Sequence, residues 1–244
     1  MRPLLSALAA LAVTLAAALP ARAGDTASLE ILGFSADGGI FAFEQYGVQD
    51  GSGFPYAERF YIDVDNDSWL PGTPIRVRLE DETASLDAAR QQARSQGNAI
   101  IPDAELAGNR GVTAGMSPVT ELSADPHRME VNPRPVFPPV DDPLEFRVEE
   151  IAVSPPENCE GLGWDIMGFR LTRIDVTPGG TTELVHEDGA SVPSSRGCPL
   201  GYSIGAIQTF FPQGASPAYA ALIAIRTFGF EGPDHRWMAI VGRL

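Results

Sequence analysis

A serine between two glycines is the first candidate for chemistry in this sequence. Gly201-Tyr202-Ser203-Ile204-Gly205 matches the G-x-S-x-G pattern of a nucleophile elbow, and Asp234 and His235 follow it in the order of a hydrolase triad. An elbow needs a strand before the serine and a helix after it. The residues after Ser203 are β-like, and the side chains of adjacent Asp234 and His235 diverge. A serine hydrolase using Ser203 is therefore an alternative function and not the leading one.

A second candidate is a run of aspartates at alternate positions. Asp63, Asp65 and Asp67 resemble the first ligands of a calcium-binding loop. Such a loop needs glycine at its sixth position and a bidentate glutamate at its twelfth, where this chain has Ser68 and Pro74. The pattern excludes an EF-hand of the usual form. A looser calcium site that stabilises the protein stays open as an alternative, beside a simple strand end followed by an Asp/Asn turn.

The chain has two cysteines, Cys159 and Cys198, each in turn-rich sequence. In an exported protein an even number of cysteines indicates pairing, so we predict a disulfide between them. The three histidines, His127, His186 and His235, lack the spacing of a zinc site. We assign no catalytic, cofactor-binding or metal-binding residue from the sequence, and we predict no cofactor.

The N-terminus has the three parts of a secretory signal peptide. Arg2 gives it a positive charge, Leu4 to Leu19 form an apolar run, and Pro20-Ala21-Arg22-Ala23 ends in an A-x-A cleavage pattern. We predict that residues 1–23 are the signal peptide and that cleavage follows Ala23. No later stretch reaches the length of a membrane span, so we expect no integral membrane segment in the mature chain.

The composition describes a soluble, folded and acidic chain. Hydrophobic residues make up 44% of it, which is enough to build a core, and the formal net charge is −15. Such a charge repels nucleic-acid phosphates and anionic lipids, so we expect no nucleic-acid partner.

Alternating apolar residues predict a mainly β protein of antiparallel meanders or hairpins, either propeller-like or sandwich-like. The clearest alternations are Phe41/Phe43, Phe60/Ile62/Val64 and Ile75/Val77/Leu79. Ala220 to Ile225 is continuously apolar, which is typical of a buried central strand. The alternation changes phase at Glu149-Glu150 and at Thr172-Arg173. Each change predicts a bulge, or else partial burial of both strand faces.

One helix and one irregular segment interrupt the β pattern. Ser85 to Gln96 is rich in helix formers, with Ser85 as an N-cap and Gly97 as its end, and we predict a surface helix near 85–96. Residues 103–143 are rich in Pro, Gly and Asp and indicate a linker or long loop with polyproline character. They separate a first β-rich half, 24–102, from a second, 144–244. A single domain over 24–244 is the other possible division.

Two sets of residues resemble known families. Phe34-Ser35-Ala36-Asp37-Gly38 and Phe60-Tyr61-Ile62-Asp63-Val64 resemble parts of a TolB-type (PD40) propeller blade, with a weaker echo at Val153–Pro156 and Leu171–Val176. The longer run from Phe34 to Pro74, together with Gly229-Phe230-Glu231-Gly232-Pro233-Asp234, resembles the DUF2259 family of predicted secreted bacterial proteins. This resemblance implies export and supplies no catalytic residues.

These observations lead to one main hypothesis. We expect a secreted or periplasmic, non-enzymatic protein that binds another envelope protein or a small ligand through loops on a β scaffold. The serine hydrolase and the calcium-stabilised module remain the alternatives.

Overall fold

A computed structural model describes residues 24–229 and 232–244. The predicted signal peptide and its cleavage after Ala23 lie outside these residues. The strands are β1 Ser28–Phe34, β2 Ile40–Val48, β3 Pro55–Asp63, β4 Ser68–Trp69, β5 Ile75–Arg78, β6 Val112–Met116, β7 Arg128–Val131, β8 Leu144–Ala152, β9 Met167–Asp175, β10 Thr182–Glu187, β11 Pro199–Phe210, β12 Ala218–Thr227 and β13 Asp234–Arg243. The α-helices are α1 Leu86–Gly97 and α2 Asp103–Gly108.

The strands form three antiparallel sheets. The front sheet has the order β1-β2-β3-β4, with β5 also paired to β3. The back sheet has the order β10-β9-β8-β7, and the central sheet has the order β13-β12-β11-β6. The prediction of a mainly antiparallel β protein is confirmed, and the layered sheets give it a sandwich-like form. The resemblance to propeller blades is not confirmed.

The central sheet is buried on both faces. On β12, Ala220, Leu222 and Ala224 belong to the core shared with the front sheet. Ala221, Ile223 and Ile225 belong to the core shared with the back sheet. Ala220 to Ile225 is therefore a buried central strand, as the continuous apolar run predicts.

Aromatic side chains fill the core between the front and central sheets. Phe43 and Phe60 stack with their ring centroids 4.5 Å apart, and Phe34 and Phe41 are 4.9 Å apart. Opposite them lie mainly alanines of β12 and Trp237 of β13. This cluster joins both halves of the chain, so we propose that residues 24–244 fold as one domain.

Strands β8 and β9 pair with each other without the bulges that their phase changes predict. These strands pair without a register shift from Leu144, opposite Asp175, to Ala152, opposite Met167. The other prediction for these places, partial burial of both strand faces, agrees with the structure. Ile151 and Ile174 are half-buried on the face opposite to that of Phe146 and Phe169. The register shift lies instead between β9 and β10, between Leu184 and His186.

Helix α1 confirms the predicted surface helix. The Ser85 side chain accepts a hydrogen bond from the amide of Ala88, and Ala89, Ala93 and Gly97 form its buried face. Gly97 is needed there because a Cβ atom would lie 2.0 Å from the Tyr61 hydroxyl. The short helix α2 was not predicted. It packs beside α1 over the front sheet and buries Leu106.

The segment 103–143 contributes regular structure as well as loops. Besides α2, it contains β6, which pairs with β11, and β7, which pairs with β8. Both strands are short, four or five residues, and lie at sheet edges. Their apolar alternation is too brief to stand out from the surrounding Pro, Gly and Asp residues.

A buried ion network attaches the helices to the front sheet. Arg59 and Glu44 are fully buried cross-strand neighbours, and Arg59 Nε donates to Glu44 Oε2 over 2.8 Å. The same guanidinium donates to both carboxylate oxygens of Asp103 on α2, over 2.7 and 3.0 Å. Arg90 on α1 donates to the other oxygen of Glu44 over 2.6 Å. Each buried charge is therefore paired and hydrogen-bonded.

This network generates a prediction about stability. Replacing Arg59 by alanine removes the fully buried partner of the Glu44 carboxylate. We therefore expect the free energy of unfolding to fall by about 3–5 kcal/mol. Urea denaturation measures the change. The control is Arg78→Ala, which removes an exposed ion pair with Glu80 and should cost about 0–1 kcal/mol. If both variants lose the same small amount of unfolding free energy, the network has no structural role.

Candidate functional site

A groove of about 550 Å³ runs along the outer edge of β13. We call it the β13 groove. Its first wall is the front sheet, with Phe60, Trp69 and Arg76, and its second wall is the end of β10 and the loop 193–198. Ile225, Thr227 and Phe228 at the end of β12 close one end.

The edge of β13 is covered at some positions and open at others. His235 donates its amide to the Asp25 carbonyl over 2.8 Å and accepts from the Ala27 amide, so the N-terminal segment covers one end. The amide of Trp237 donates to Gln45 Oε1 over 2.7 Å, and that of Val241 donates to Asp67 Oδ1 over 3.0 Å. Ala239 lies between them at the same parity, so its amide points to the same side. Among the described residues this amide has no hydrogen-bond partner.

The front wall carries an exposed aromatic side chain. Trp69 is 47% exposed and tilts against the buried ring of Phe60, with the centroids 6.2 Å apart. The Arg76 guanidinium lies 5.8 Å from the Trp69 ring and pairs with Glu58 over 3.2 Å. This wall therefore offers an indole face beside a paired positive charge.

The back wall is held by Asp188. Its Oδ2 accepts from Arg196 over 2.6 Å and from the Phe169 amide over 2.9 Å, and its Oδ1 lies 3.1 Å from His186 Nε2. Burial alone raises the pKa of Asp188, but the hydrogen bonds from His186, Arg196 and Phe169 outweigh it and hold the pKa at about 2. Asp188 is therefore a carboxylate at neutral pH, and it fixes the positions of His186 and Arg196 in the groove.

The predicted disulfide is confirmed and supports the same wall. Cys159 and Cys198 are bonded, with their Cα atoms 5.6 Å apart. Cys198 lines the groove, whereas Cys159 is buried with Ile166 and Val192 in a small separate core. The bond therefore anchors the loop 193–198 to the segment that precedes β9.

Ser203 does not form a nucleophile elbow. It lies within β11 opposite Ala224 of β12, and β11 continues to Phe210 without the required helix. Gly205 is explained by packing, because a Cβ atom there would lie 2.1 Å from the Trp237 ring. Asp234 accepts from the Asp25 amide over 2.8 Å, and burial lowers the pKa of His235. The structure therefore gives the hydrolase alternative no triad at Ser203.

The three aspartates are directed to three different partners. Asp63 caps its own turn by accepting from the amides of Asp65 and Asn66. Asp65 forms a two-bond ion pair with Arg243, and Asp67 accepts from Val241. In residues 24–229 and 232–244, no group of three or more His, Cys, Asp or Glu side chains is arranged to hold a metal ion.

Of the sequence-selected residues, the groove contains His186, Asp67 and Cys198. His127 and His235 lie elsewhere. No sequence pattern points to the other groove residues Trp69, Arg76, Arg196 and Phe228 as a group. No spacing could have found them, because they come from three segments far apart in sequence.

The fold and the groove define an all-β protein with a cleft beside a partly open strand edge. A family model described as a predicted secreted protein, DUF2259, matches residues 42–243. The chain therefore belongs to the DUF2259 family and is an exported protein, secreted or periplasmic. No curated protein and no solved structure matches the chain. No helix in the described part of the chain is long and apolar enough to cross a membrane.

The Asp188 contacts generate a prediction about pH. The folded pKa of about 2 lies below the ordinary aspartate value of 3.8, so the stabilisation by this carboxylate is complete above the higher value and is lost as the pH falls through the lower one. Asp188→Asn should lower stability by about 1–3 kcal/mol at neutral pH. It should also lose less of its remaining stability between about pH 5 and about pH 2 than the wild type. Urea titrations across this range measure both effects.

The matched control for Asp188→Asn is Asp165→Asn, at an exposed position of the 160–166 loop. It should retain the wild-type acid dependence. Identical acid profiles for Asp188→Asn and the wild type would rule out the proposed role of Asp188.

The disulfide generates a further stability prediction. Its cysteines are 39 residues apart. Because closing a loop of that length lowers the entropy of the unfolded chain, we expect it to raise the free energy of unfolding by about 4 kcal/mol. The Cys159→Ser/Cys198→Ser variant should unfold at correspondingly lower urea concentration. Reductant should destabilise the wild type and leave this variant unchanged. A wild type insensitive to complete reduction, verified by thiol titration, would refute the prediction.

Proposed function

We propose that this exported protein is a non-enzymatic binding protein and that the β13 groove holds an extended polypeptide segment of an envelope partner. The observation that carries the proposal is the Ala239 amide, which has no hydrogen-bond partner in the described part of the chain and lies in the groove that the exposed Trp69 ring also lines. An extended segment can add to an exposed sheet edge through its main chain, while pockets for its side chains give specificity.

The polar groups of the groove support binding better than catalysis. Arg76, Arg196 and Arg236 are each engaged with a carboxylate, namely Glu58, Asp188 and Asp25. Paired groups of this kind shape a rigid surface, and a rigid surface loses little entropy when a ligand binds.

The same groove contains a hydroxyl, an imidazole and a carboxylate in Ser195, His186 and Asp188. Among the described contacts, no hydrogen bond joins the Ser195 hydroxyl to His186. The second Asp188 oxygen is occupied by Arg196 and the Phe169 amide. We therefore expect no labelling of the protein by a fluorophosphonate probe. Labelling that Ser195→Ala or Ser203→Ala abolishes would overturn the non-enzymatic assignment.

The binding proposal predicts the behaviour of two groove variants. The probe is a phage-displayed library of random linear peptides selected on the wild-type protein, followed by affinity measurement of synthetic winners. Trp69→Ala should weaken binding at least tenfold, about 1.4 kcal/mol, because the indole is the exposed anchor. Ala239→Pro should also weaken it, because proline removes the outward amide of β13 and leaves the hydrogen bonds with β12 intact.

The control is Trp164→Ala, which removes another exposed tryptophan, outside the groove. It should bind the selected peptides as the wild type does. Thermal unfolding of each variant separates lost binding from lost folding. If the selection enriches no peptide, or if the winners bind Trp69→Ala and Ala239→Pro with wild-type affinity, the groove is not a peptide site.

A further inference from the structure

In the described part of the chain, one charged side chain of the β13 groove has no ion-pair partner. Five charged side chains line the groove, namely Glu58, Asp67, Arg76, Arg196 and Arg236. The three arginines pair with Glu58, Asp188 and Asp25. Within the described residues, the carboxylate of Asp67 accepts one hydrogen bond, from the Val241 amide, and forms no ion pair. The groove therefore keeps one negative charge that no cation of the protein neutralises.

The turn before β4 holds Asp67 in this position. Its backbone is left-handed, with φ at 44°, a conformation that aspartate and asparagine enter more readily than most other residues. Oδ1 of Asp67 lies 3.0 Å from the Val241 amide, which fixes the carboxylate against the edge of β13. Desolvation raises the pKa of Asp67, and the Val241 amide and the charge of His186 offset it only in part. A cation that approaches this carboxylate would favour its charged form.

Asp67 lies close to the position at which we expect a bound segment to pair with β13. Val241 is two residues beyond Ala239, a distance of about 7 Å at the rise of an antiparallel strand. An extended segment whose carbonyl accepts from the Ala239 amide therefore reaches Asp67 within about two residues of that carbonyl. On the other side of Ala239, the neutral side chain of Gln45 accepts from the Trp237 amide. The two ends of the open position thus differ in charge, and the negative end is the one at Val241.

Trp69 adds an aromatic surface to the same wall. It pairs across the front sheet with Ile62, which belongs to the core shared with the central sheet, so its ring projects to the side that Asp67 also faces. Arg76 already lies 5.8 Å from this ring, and 47% of Trp69 remains exposed. A basic side chain can lay its apolar stem or its charge on an indole while it pairs with a carboxylate. The wall therefore suits a cationic side chain.

We propose that the extended segment bound in the β13 groove carries an arginine or lysine that pairs with Asp67. The inference rests on the proposed function of the groove and names the chemistry of its ligand. The net charge of −15 favours the same partner, because it attracts basic segments and repels acidic ones. Asp67 then determines specificity, whereas Trp69 and the Ala239 amide supply affinity for extended segments in general.

The test uses the peptides that a random linear library yields on the wild-type protein. The winners should share an arginine or lysine at one position, and glutamine at that position should weaken binding to the wild type about fivefold or more. The diagnostic variant is Asp67→Asn, which keeps an oxygen for the Val241 amide, tolerates the left-handed backbone and removes the charge. This variant should bind the basic peptide and its glutamine analogue with equal affinity.

The matched control is Asp165→Asn, which makes the same change of charge at an exposed position outside the groove. It should retain the wild-type difference between the two peptides. This result separates an ion pair with Asp67 from a general attraction between a basic peptide and an acidic protein. Thermal unfolding of both variants checks that they are folded.

Three results would overturn the inference. Winners without a shared basic residue exclude it, and so does an equal loss on glutamine substitution in the wild type and in Asp67→Asn. If such winners still depend on Trp69 and on the Ala239 amide, the proposed function stands while the inference fails. A selection that enriches no peptide overturns both.

Discussion

The burial of β12 on both faces is the constraint on which the rest of the architecture depends. A strand in this position must be apolar at successive residues, and it needs another sheet above and below. Alternate residues of β12 supply one core with the front sheet and another with the back sheet. The four alanines of β12 leave room for large partners, which are the phenylalanines of the front sheet on one side and Phe146 of the back sheet on the other. Gly205 of the neighbouring strand likewise makes room for the Trp237 ring.

A stack of open sheets leaves strand edges that need protection. Segments from outside the central sheet protect β13. The N-terminal segment pairs with His235, and the side chains of Gln45 and Asp67 accept hydrogen bonds from two other amides of β13. Within the described residues the protection is incomplete at Ala239, which lines the groove between the front sheet and the loop 193–198. The binding site that we propose is thus a consequence of how the edge of the central sheet is covered.

Two arginines join carboxylates to other layers of this acidic protein. Arg59 joins two carboxylates beneath the helices, and Arg196 joins Asp188 to the wall of the groove. A guanidinium with several donors can satisfy two acceptors at once, which makes it suited to joining elements from different layers. The net negative charge therefore remains at the surface, while the polar contacts that position the helices and the groove wall are locally neutralised.

The sequence by itself determined features that depend on neighbouring residues. Strand alternation, the Ser85 cap, the continuous apolar run of β12 and the pairing of the two cysteines are all local or compositional signals, and the structure confirms them. The sequence does not predict the helix α2 or the edge strands β6 and β7, because they are too short to show a hydrophobic period. The tertiary structure alone decided the candidate site, since Trp69, Arg196 and Ala239 meet only when three sheets stack. It also decided that the Ser203 and aspartate motifs are packing and turn features, because a motif fixes residue types and spacing, whereas chemistry depends on which distant groups face them.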